Sequence, residues 1–277
     1  MSDTRDKPNT PTNPPTTSVI STGAQRSGET PVLALPRAGT ISAYTPARLS
    51  LGTPAESIST QEHLRFQLDH ALARDAVHAE LDLALLSRGL ADRNLQTLTL
   101  HSAVQQGRRE YLRRPDLGRK LDTPSRNLLQ RLHQPPPDIL FIIADGLSSL
   151  AIERHALALI DAINSTLAEP TTGPVCLVTQ GRVAIGDEIG ELLSAKLVVL
   201  LIGERPGLSS ADSLGVYLTW NPHPGRTDAE RNCISNIRTE GLTYSEAAQR
   251  ITHLIHGARI LQATGVTLKD GDVSLLG

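Results

Sequence analysis

The stretch DILFIIADG, residues 138–146, decides the fold of this chain. Its apolar run is short, continuous and closed by Asp145–Gly146, which predicts a strand buried on both faces of a sheet. The next segment, SLAIERHALALIDAINSTL (149–167), carries its apolar residues at helical spacing. A strand, a turn and a helix in this order are the unit from which α/β folds with parallel sheets are built.

The same rhythm continues towards the carboxyl terminus. The predicted elements are the strand PVCLVTQG (174–181), the helix IGDEIGELLSA (185–195), the strand AKLVVLLIGERPG (195–207), the strand LGVYLTW (214–220) and a closing helix over 244–265. Strands that are apolar throughout and alternate with helices indicate a sheet covered on both faces. Residues 138–277 are therefore predicted to form a doubly wound, mainly parallel, Rossmann-like α/β domain.

Helical spacing also marks the region before this domain. In TQEHLRFQLDHALARDAVHAELD (60–82), apolar residues recur every four positions, at Leu64, Leu68, Leu72 and Ala76. A second helix is predicted over 83–107, and YLRRPDLGRKL (111–121) reads as a loop that enters a further helix. That helix should end before Pro135–Pro136–Pro137, because proline cannot continue it. We thus expect a helical region over 46–134.

Residues 1–45 differ in composition from the rest of the chain. Prolines such as Pro8, Pro11, Pro14 and Pro15 stand among threonine, serine and asparagine, with a single aromatic residue. Such a stretch buries too little apolar surface to offset the entropy lost on ordering. It is therefore predicted to be a disordered tail.

Composition excludes several classes of function. The formal net charge is -2 and aromatic residues make up 3% of the chain, so neither a basic surface nor a base-stacking platform for nucleic acid is expected. Two cysteines, Cys176 and Cys233, suit a reducing compartment. Without an apolar run of about 20 residues or a signal-peptide core, no membrane association is expected, and the predicted location is the cytoplasm.

Three loops should meet at one edge of the sheet. Asp145–Gly146, Gln180–Val183 and Gly203–Gly207 each follow a predicted parallel strand, and ligands of doubly wound sheets bind beyond the carboxyl ends of the strands. Turn formation alone would explain the glycines. For GERPG the functional interpretation is favoured, because Glu204 and Arg205 bring charges to that edge; an ion pair between them is the structural alternative.

Familiar enzyme motifs are missing from the sequence. It contains no GxG, GxSxG, GxxxxGK[ST], HExxH or CxxC pattern. Cys233 has no histidine base nearby in sequence, although Arg231 and Arg238 could lower its pKa, and a small buried apolar role is its default. Two alternatives therefore remain open: a stand-alone doubly wound protein or enzyme that binds a small molecule, and a subunit that serves only as a scaffold.

Several long segments resemble one family. They are ARLSLGT (47–53), YLRRPDLGRKL (111–121), GRVAIGDEIGELLSAKLVVLLIGERPGLSSADSLGVYLTW (181–220) and RNCISNIRTEGLTYSEAA (231–248). In this order they are similar to the small (light) subunit of ethanolamine ammonia-lyase, from about residue 46 to residue 265. The proline-rich tail lies outside the resemblance.

The resemblance implies a partner and a cofactor. In this family the small subunit joins a large (heavy) subunit in a higher hetero-oligomer, and adenosylcobalamin (coenzyme B12) is held between the two. A radical mechanism converts ethanolamine to acetaldehyde and ammonia. The family binds cobalamin base-on, with the cofactor's own benzimidazole still on cobalt. Cobalamin proteins that replace this base with a histidine use a DxHxxG loop, and its absence from this sequence agrees with base-on binding. Members are cytoplasmic, either free or inside a bacterial microcompartment.

The resemblance also assigns roles to residues. The family's cofactor contacts from the small subunit fall on Val183, Glu204 and Cys233, which raises Cys233 from a packing residue to an expected neighbour of the cofactor. Substrate contacts come from the large subunit in this family. This chain is therefore expected to contribute no catalytic acid or base and no metal ligand.

Overall fold

The computed structural model describes residues 58–167 and 173–268, which hold seven α-helices and six β-strands. In chain order they are α1 (Thr60–His78), α2 (Leu83–Ala91), β1 (Thr97–His101), α3 (Arg108–Arg113), α4 (Thr123–Arg131), β2 (Ile139–Ala144), α5 (Ser149–Thr166), β3 (Val175–Thr179), α6 (Ile185–Leu192), β4 (Leu197–Gly203), β5 (Leu214–Trp220), β6 (Arg231–Ile237) and α7 (Tyr244–Leu261). The predicted tail over 1–45 lies outside the described residues.

The six strands form one sheet in the order β1-β3-β2-β4-β5-β6. The first four are mutually parallel, whereas β5 runs antiparallel to β4 and β6 antiparallel to β5. Residues 204–213 join β4 to β5 without a helix, and a parallel neighbour would need a longer crossover. The predicted mainly parallel α/β sheet is confirmed.

Both faces of the sheet are covered by helices. Alternate side chains of β2 point to opposite faces. Ile139, Phe141 and Ile143 pack in one core with α2, α5 and α7, and the intervening β2 residues pack in the other core with α4 and α6. All six residues of β2 are buried. This double coverage explains why the strand has no polar position.

Two strands were not foreseen from the sequence. The helix predicted over 83–107 is wrong beyond Ala91, because TLTLH (97–101) forms β1 at the sheet edge and pairs with β3. Its β-branched threonines fit a strand better than a helix. The polar segment RNCISNI forms β6 at the other edge, with several residues exposed. Edge strands bury less of their surface and so lack the continuous apolar signature.

Candidate functional site

A cavity of about 230 Å³ opens at the carboxyl ends of the parallel strands. Val183, from the turn between β3 and α6, and Glu204, directly after β4, both line it. The structure therefore brings together two of the three residues singled out in the sequence. The remaining lining residues are Tyr111, Gly146, Leu147, Arg182, Ile202, Gly203, Arg205 and Tyr217.

The carboxylate of Glu204 is held by neighbours from β5 and β6. The hydroxyl of Ser213 donates to Oε2 at 2.5 Å, and the hydroxyl of Ser235 donates to Oε1 at 2.5 Å. The backbone N–H of Asn236 donates to Oε2 at 3.2 Å. Among the described residues, no ion pair joins Glu204 to Arg205, so the structural alternative of a local pair does not hold.

Cys233 lies next to this cavity on β6. It stands opposite Tyr217 of β5 in the strand pairing, and Tyr217 lines the cavity. Cys233 is exposed as a whole, yet the pKa of its thiol is raised, mainly because the thiol is partly desolvated. A hydrogen bond with Tyr217 lowers this pKa, whereas the charge of Glu204 raises it. Glu204, Tyr217 and Cys233 thus share one electrostatic environment.

The raised pKa of Cys233 excludes the activation that its flanking arginines suggested. Arg231 is buried and binds Asp187, with Nη1 2.6 Å from Oδ1. Arg238 donates to the carbonyl of Ser209 at 2.9 Å. Neither guanidinium stabilises a thiolate. At neutral pH Cys233 is a neutral thiol and not an activated nucleophile.

The turn that carries Val183 is held in place at Gly181, two residues earlier. The N–H of Gly181 donates to Oδ1 of Asp145 at 3.1 Å, and its carbonyl accepts a hydrogen bond of 2.8 Å from the hydroxyl of Tyr111. Tyr111 is completely buried, and Asp145 is 4% exposed. Because the backbone N–H and the carbonyl of Gly181 are both bound to buried side chains, the turn has little freedom to shift.

Two arginines complete this support. Arg108 forms an ion pair with Asp145 over 3.0 Å, and the guanidinium carbons of Arg108 and Arg182 lie 4.7 and 4.2 Å from the centre of the Tyr111 ring. The sequence did not point to Arg108 or Tyr111 as site residues; Arg182 lay within the loop Gln180–Val183 expected at this edge, but no role was assigned to it. Arg108 and Tyr111 come from α3, far away in sequence, and no local pattern connects them to this edge.

A larger cavity, of about 600 Å³, lies elsewhere and contains none of the three predicted residues. It is lined by residues of α1, α5 and the segments after β4 and β6, including Arg65, Arg154 and Asp212. Beside it, buried His155 is bonded to the hydroxyl of Tyr244 at 2.7 Å and faces Asp212 at 3.3 Å. His155 is thus a satisfied packing residue.

Within residues 58–167 and 173–268, no three His, Cys, Asp or Glu side chains are grouped as a metal site would require. The helices of this part of the chain also include none that is both long enough and apolar enough to cross a membrane.

Comparison with known proteins identifies relatives over most of the chain. A family model described as "Ethanolamine ammonia-lyase light chain (EutC)" matches residues 37–269. The chain is 53% identical over 231 residues to a protein of Pseudomonas fluorescens (strain Pf0-1) named "Ethanolamine ammonia-lyase small subunit", covering 82% of this chain and 84% of that relative.

Other relatives carry the same name. One from Xanthomonas campestris pv. campestris is 51% identical over 241 residues, covering 85% of this chain and 88% of the relative. One from Pseudomonas aeruginosa (strain LESB58) is 52% identical over 234 residues, covering 82% and 84%. The match to the family model and these identities lead to one conclusion: the chain belongs to the ethanolamine ammonia-lyase light chain family.

Proposed function

We propose that this chain is the small subunit of an adenosylcobalamin-dependent ethanolamine ammonia-lyase, and that it forms one side of the cofactor site. A large subunit would form the other side and bind the substrate. The observation that carries the proposal is the convergence of Val183 and Glu204 on one cavity at the carboxyl edge of the sheet, with Cys233 beside it.

The size of this cavity supports a shared site. About 230 Å³ is less than the ~300–1,000 Å³ of a typical enclosed ligand pocket. A corrin ring with its side chains is far larger than such a volume. Glu204 and its neighbours would therefore contact only part of its edge, and a partner would have to cover the remainder.

The chemistry of the lining residues also fits the cofactor. A carboxylate offers about four lone-pair positions to donors. Ser213, Ser235 and the N–H of Asn236 fill three of those of Glu204, which leaves acceptor capacity for an amide N–H of the corrin periphery. Gly215 provides room for this carboxylate, because a Cβ there would lie 3.0 Å from Oε1. Val183 adds an apolar contact.

In this proposal the chain binds and orients the cofactor and does not transfer protons. Adenosylcobalamin, when bound, would supply an adenosyl radical that abstracts hydrogen from ethanolamine. The neutral thiol of Cys233 and the hydrogen-bonded Glu204 are suited to contact, since neither is poised as a general acid or base. Holding the corrin edge against a rigid sheet would also keep water away from that side.

An exposed apolar stripe supports the existence of a partner. Leu64, Leu68 and Leu72 on α1 are 58%, 59% and 51% exposed, and Ala76 is the only buried residue of this helix. Helices in water owe most of their stability to packing of an apolar face. Contiguous exposed apolar surface is typical of protein–protein contacts. We infer that the large subunit covers this stripe.

The decisive experiment compares Glu204→Ala, Glu204→Gln and the parent in the complex purified with the large subunit. Cobalamin binding is measured by visible absorbance. A hydrogen bond to a charged group contributes about 1.5–3 kcal/mol, so Glu204→Ala should bind cobalamin about 10- to 100-fold more weakly. Glu204→Gln should lose less, because its carbonyl still accepts one hydrogen bond.

The matched control is Glu191→Ala. Glu191 is exposed and belongs to a surface near Lys196 and Asn221, at the opposite end of β4. Thermal melting and co-purification establish that each variant folds and assembles. A Glu204→Ala complex that folds, assembles and binds cobalamin as tightly as the parent would contradict the assignment of Glu204 to the cofactor site. A parent complex that binds no cobalamin would instead favour a scaffold subunit.

A further inference from the structure

Arg182 has donor capacity that the chain itself does not use. Its side chain lines the same cavity as Glu204 and is half-buried. Its Nε is buried and has no acceptor, and its Nη2 makes only a long contact of 3.4 Å with the carbonyl of Tyr111. Within the described ranges, no carboxylate forms an ion pair with this guanidinium. The buried Nε does not itself reach a ligand, but the terminal nitrogens of this cavity-lining guanidinium keep donor capacity for an external acceptor.

The side chain is held in place before any ligand binds. Its guanidinium stacks on the buried ring of Tyr111 at 4.2 Å, and its backbone N–H donates to the carbonyl of Gly118 at 2.7 Å. The stem lies against Gly118, where an added Cβ would be 2.8 Å from Cγ of Arg182. A preorganised donor loses little conformational entropy on binding.

Arg182 and Glu204 present opposite hydrogen-bonding requirements to one cavity. The guanidinium only donates, and the carboxylate only accepts. An anionic ligand would be repelled by Glu204, and a cationic ligand would be repelled by Arg182 and the nearby Arg205. A primary carboxamide satisfies both side chains, since its carbonyl accepts and its NH₂ donates.

We propose that Arg182 is a further ligand-binding residue, and that it recognises a primary carboxamide together with Glu204. The carbonyl of the amide would face Arg182 and its NH₂ would face Glu204. This rests on the proposed function, in which the amide belongs to the corrin periphery of cobalamin. With Arg182 included, the site offers both a donor and an acceptor to the ligand. This pair would reject analogues of the same ring in which a carboxylate replaces the amide.

The test uses the complex with the large subunit and cyanocobalamin, whose binding is followed by absorbance without turnover. Arg182→Met should weaken binding about 10- to 100-fold, as expected for loss of a charged hydrogen bond. Arg182→Lys should show a smaller loss, because it keeps the charge without the planar fork. Arg250→Met, at an exposed position of α7, is the matched control and should bind like the parent.

A second probe tests the pairing itself. Cobalamin monocarboxylates, in which one amide is hydrolysed to an acid, place a negative charge at a chosen position of the ring. At least one isomer should bind the parent complex more weakly than cyanocobalamin and regain affinity in Glu204→Gln. This recovery would not arise from a purely structural role of Glu204.

The possible failures are distinguishable. If both Arg182 variants bind cyanocobalamin like the parent while Glu204→Ala is impaired, the carboxamide pair is wrong and the proposed function stands. If every monocarboxylate binds the parent as tightly as cyanocobalamin, the pair is also wrong. If Arg182→Met does not assemble, the comparison of Arg182→Lys with the parent decides whether Arg182 binds the ligand. A parent complex that binds no cobalamin overturns the proposed function as well.

Discussion

At the scale of single residues, Asp145 holds a turn of the candidate site in place at a cost in folding free energy. Its carboxylate binds the N–H of Gly181 and pairs with Arg108, yet it is almost completely buried. Burial raises its pKa from 3.8 to about 6, even though Arg108 and backbone N–H groups favour the ionised form. Ionised Asp145 therefore costs folding free energy while it holds the turn before Val183.

This environment predicts a specific dependence of stability on pH. The unfolded chain releases the Asp145 proton near pH 4 and the folded chain near pH 6, so the folded chain binds more protons in between. The contribution of Asp145 to stability should fall by about 2–3 kcal/mol as pH rises from 4 to 7. The measurement is urea unfolding of the parent and Asp145→Asn across this range.

Asp145→Asn cannot titrate and should lack this contribution. The difference in unfolding free energy between parent and variant should therefore change with pH, mostly between pH 4 and 6. Other carboxylates act equally on both proteins and cancel in the difference. A difference that stays constant from pH 4 to 7 would contradict the raised pKa of Asp145.

At the scale of elements, one buried ion pair joins β6 to α6. Nη1 and Nη2 of Arg231 each donate to a carboxylate oxygen of Asp187 at 2.6 Å, and both side chains are 2% exposed. Removing one partner of such a pair leaves an uncompensated buried charge. Asp187→Ala should therefore lower the free energy of unfolding by about 3–5 kcal/mol, measured by urea denaturation.

The control for this prediction is an exposed pair of the same type. Asp116 binds Arg114 through two hydrogen bonds, and both side chains are 57% exposed. Exposed pairs contribute about 0–1 kcal/mol, so Asp116→Ala should change stability little. If Asp187→Ala and Asp116→Ala lower the free energy of unfolding equally, burial does not determine how much the Asp187–Arg231 pair contributes to stability.

The helix α1 allows a prediction about assembly. Leu68 is 59% exposed, and burial of a leucine contributes about 1.5–3 kcal/mol. If the large subunit covers it, Leu68→Glu should weaken association of the subunits at least about 10-fold, measured by co-purification and sedimentation. Ile260→Glu on α7 is matched in exposure, at 58%, and should assemble like the parent. Normal assembly of Leu68→Glu would show that this surface does not contact the large subunit.

At the scale of the whole molecule, the proposed function gives the chain one wall of the cofactor site and not a complete active site. The residues that line its carboxyl-edge cavity include the hydrogen-bonded carboxylate of Glu204, the guanidinium groups of Arg182 and Arg205, two tyrosines and apolar side chains, without a nucleophile paired to a base. We therefore expect the isolated chain with adenosylcobalamin to produce no acetaldehyde from ethanolamine. Addition of the large subunit should restore the reaction. Acetaldehyde formation by the chain alone would refute this division of labour.

The sequence by itself determined the buried part of the fold. β2, β3 and β4 are continuous apolar runs because helices cover both of their faces, and this burial is visible in composition alone. It also placed Glu204 and Val183 at one edge, because parallel strands end on the same side of a sheet. The helix from Thr60 was readable from its four-residue spacing.

Only the tertiary structure decided the edges of the sheet and the neighbours of each site residue. β1 and β6 have an exposed side, so their sequences carry no continuous apolar signal. Ser235 reaches Glu204 from 31 positions away, and Tyr111 reaches Gly181 from 70 positions away. Hydrogen bonds between distant segments depend on how the elements pack, and packing leaves no periodic trace in the local sequence.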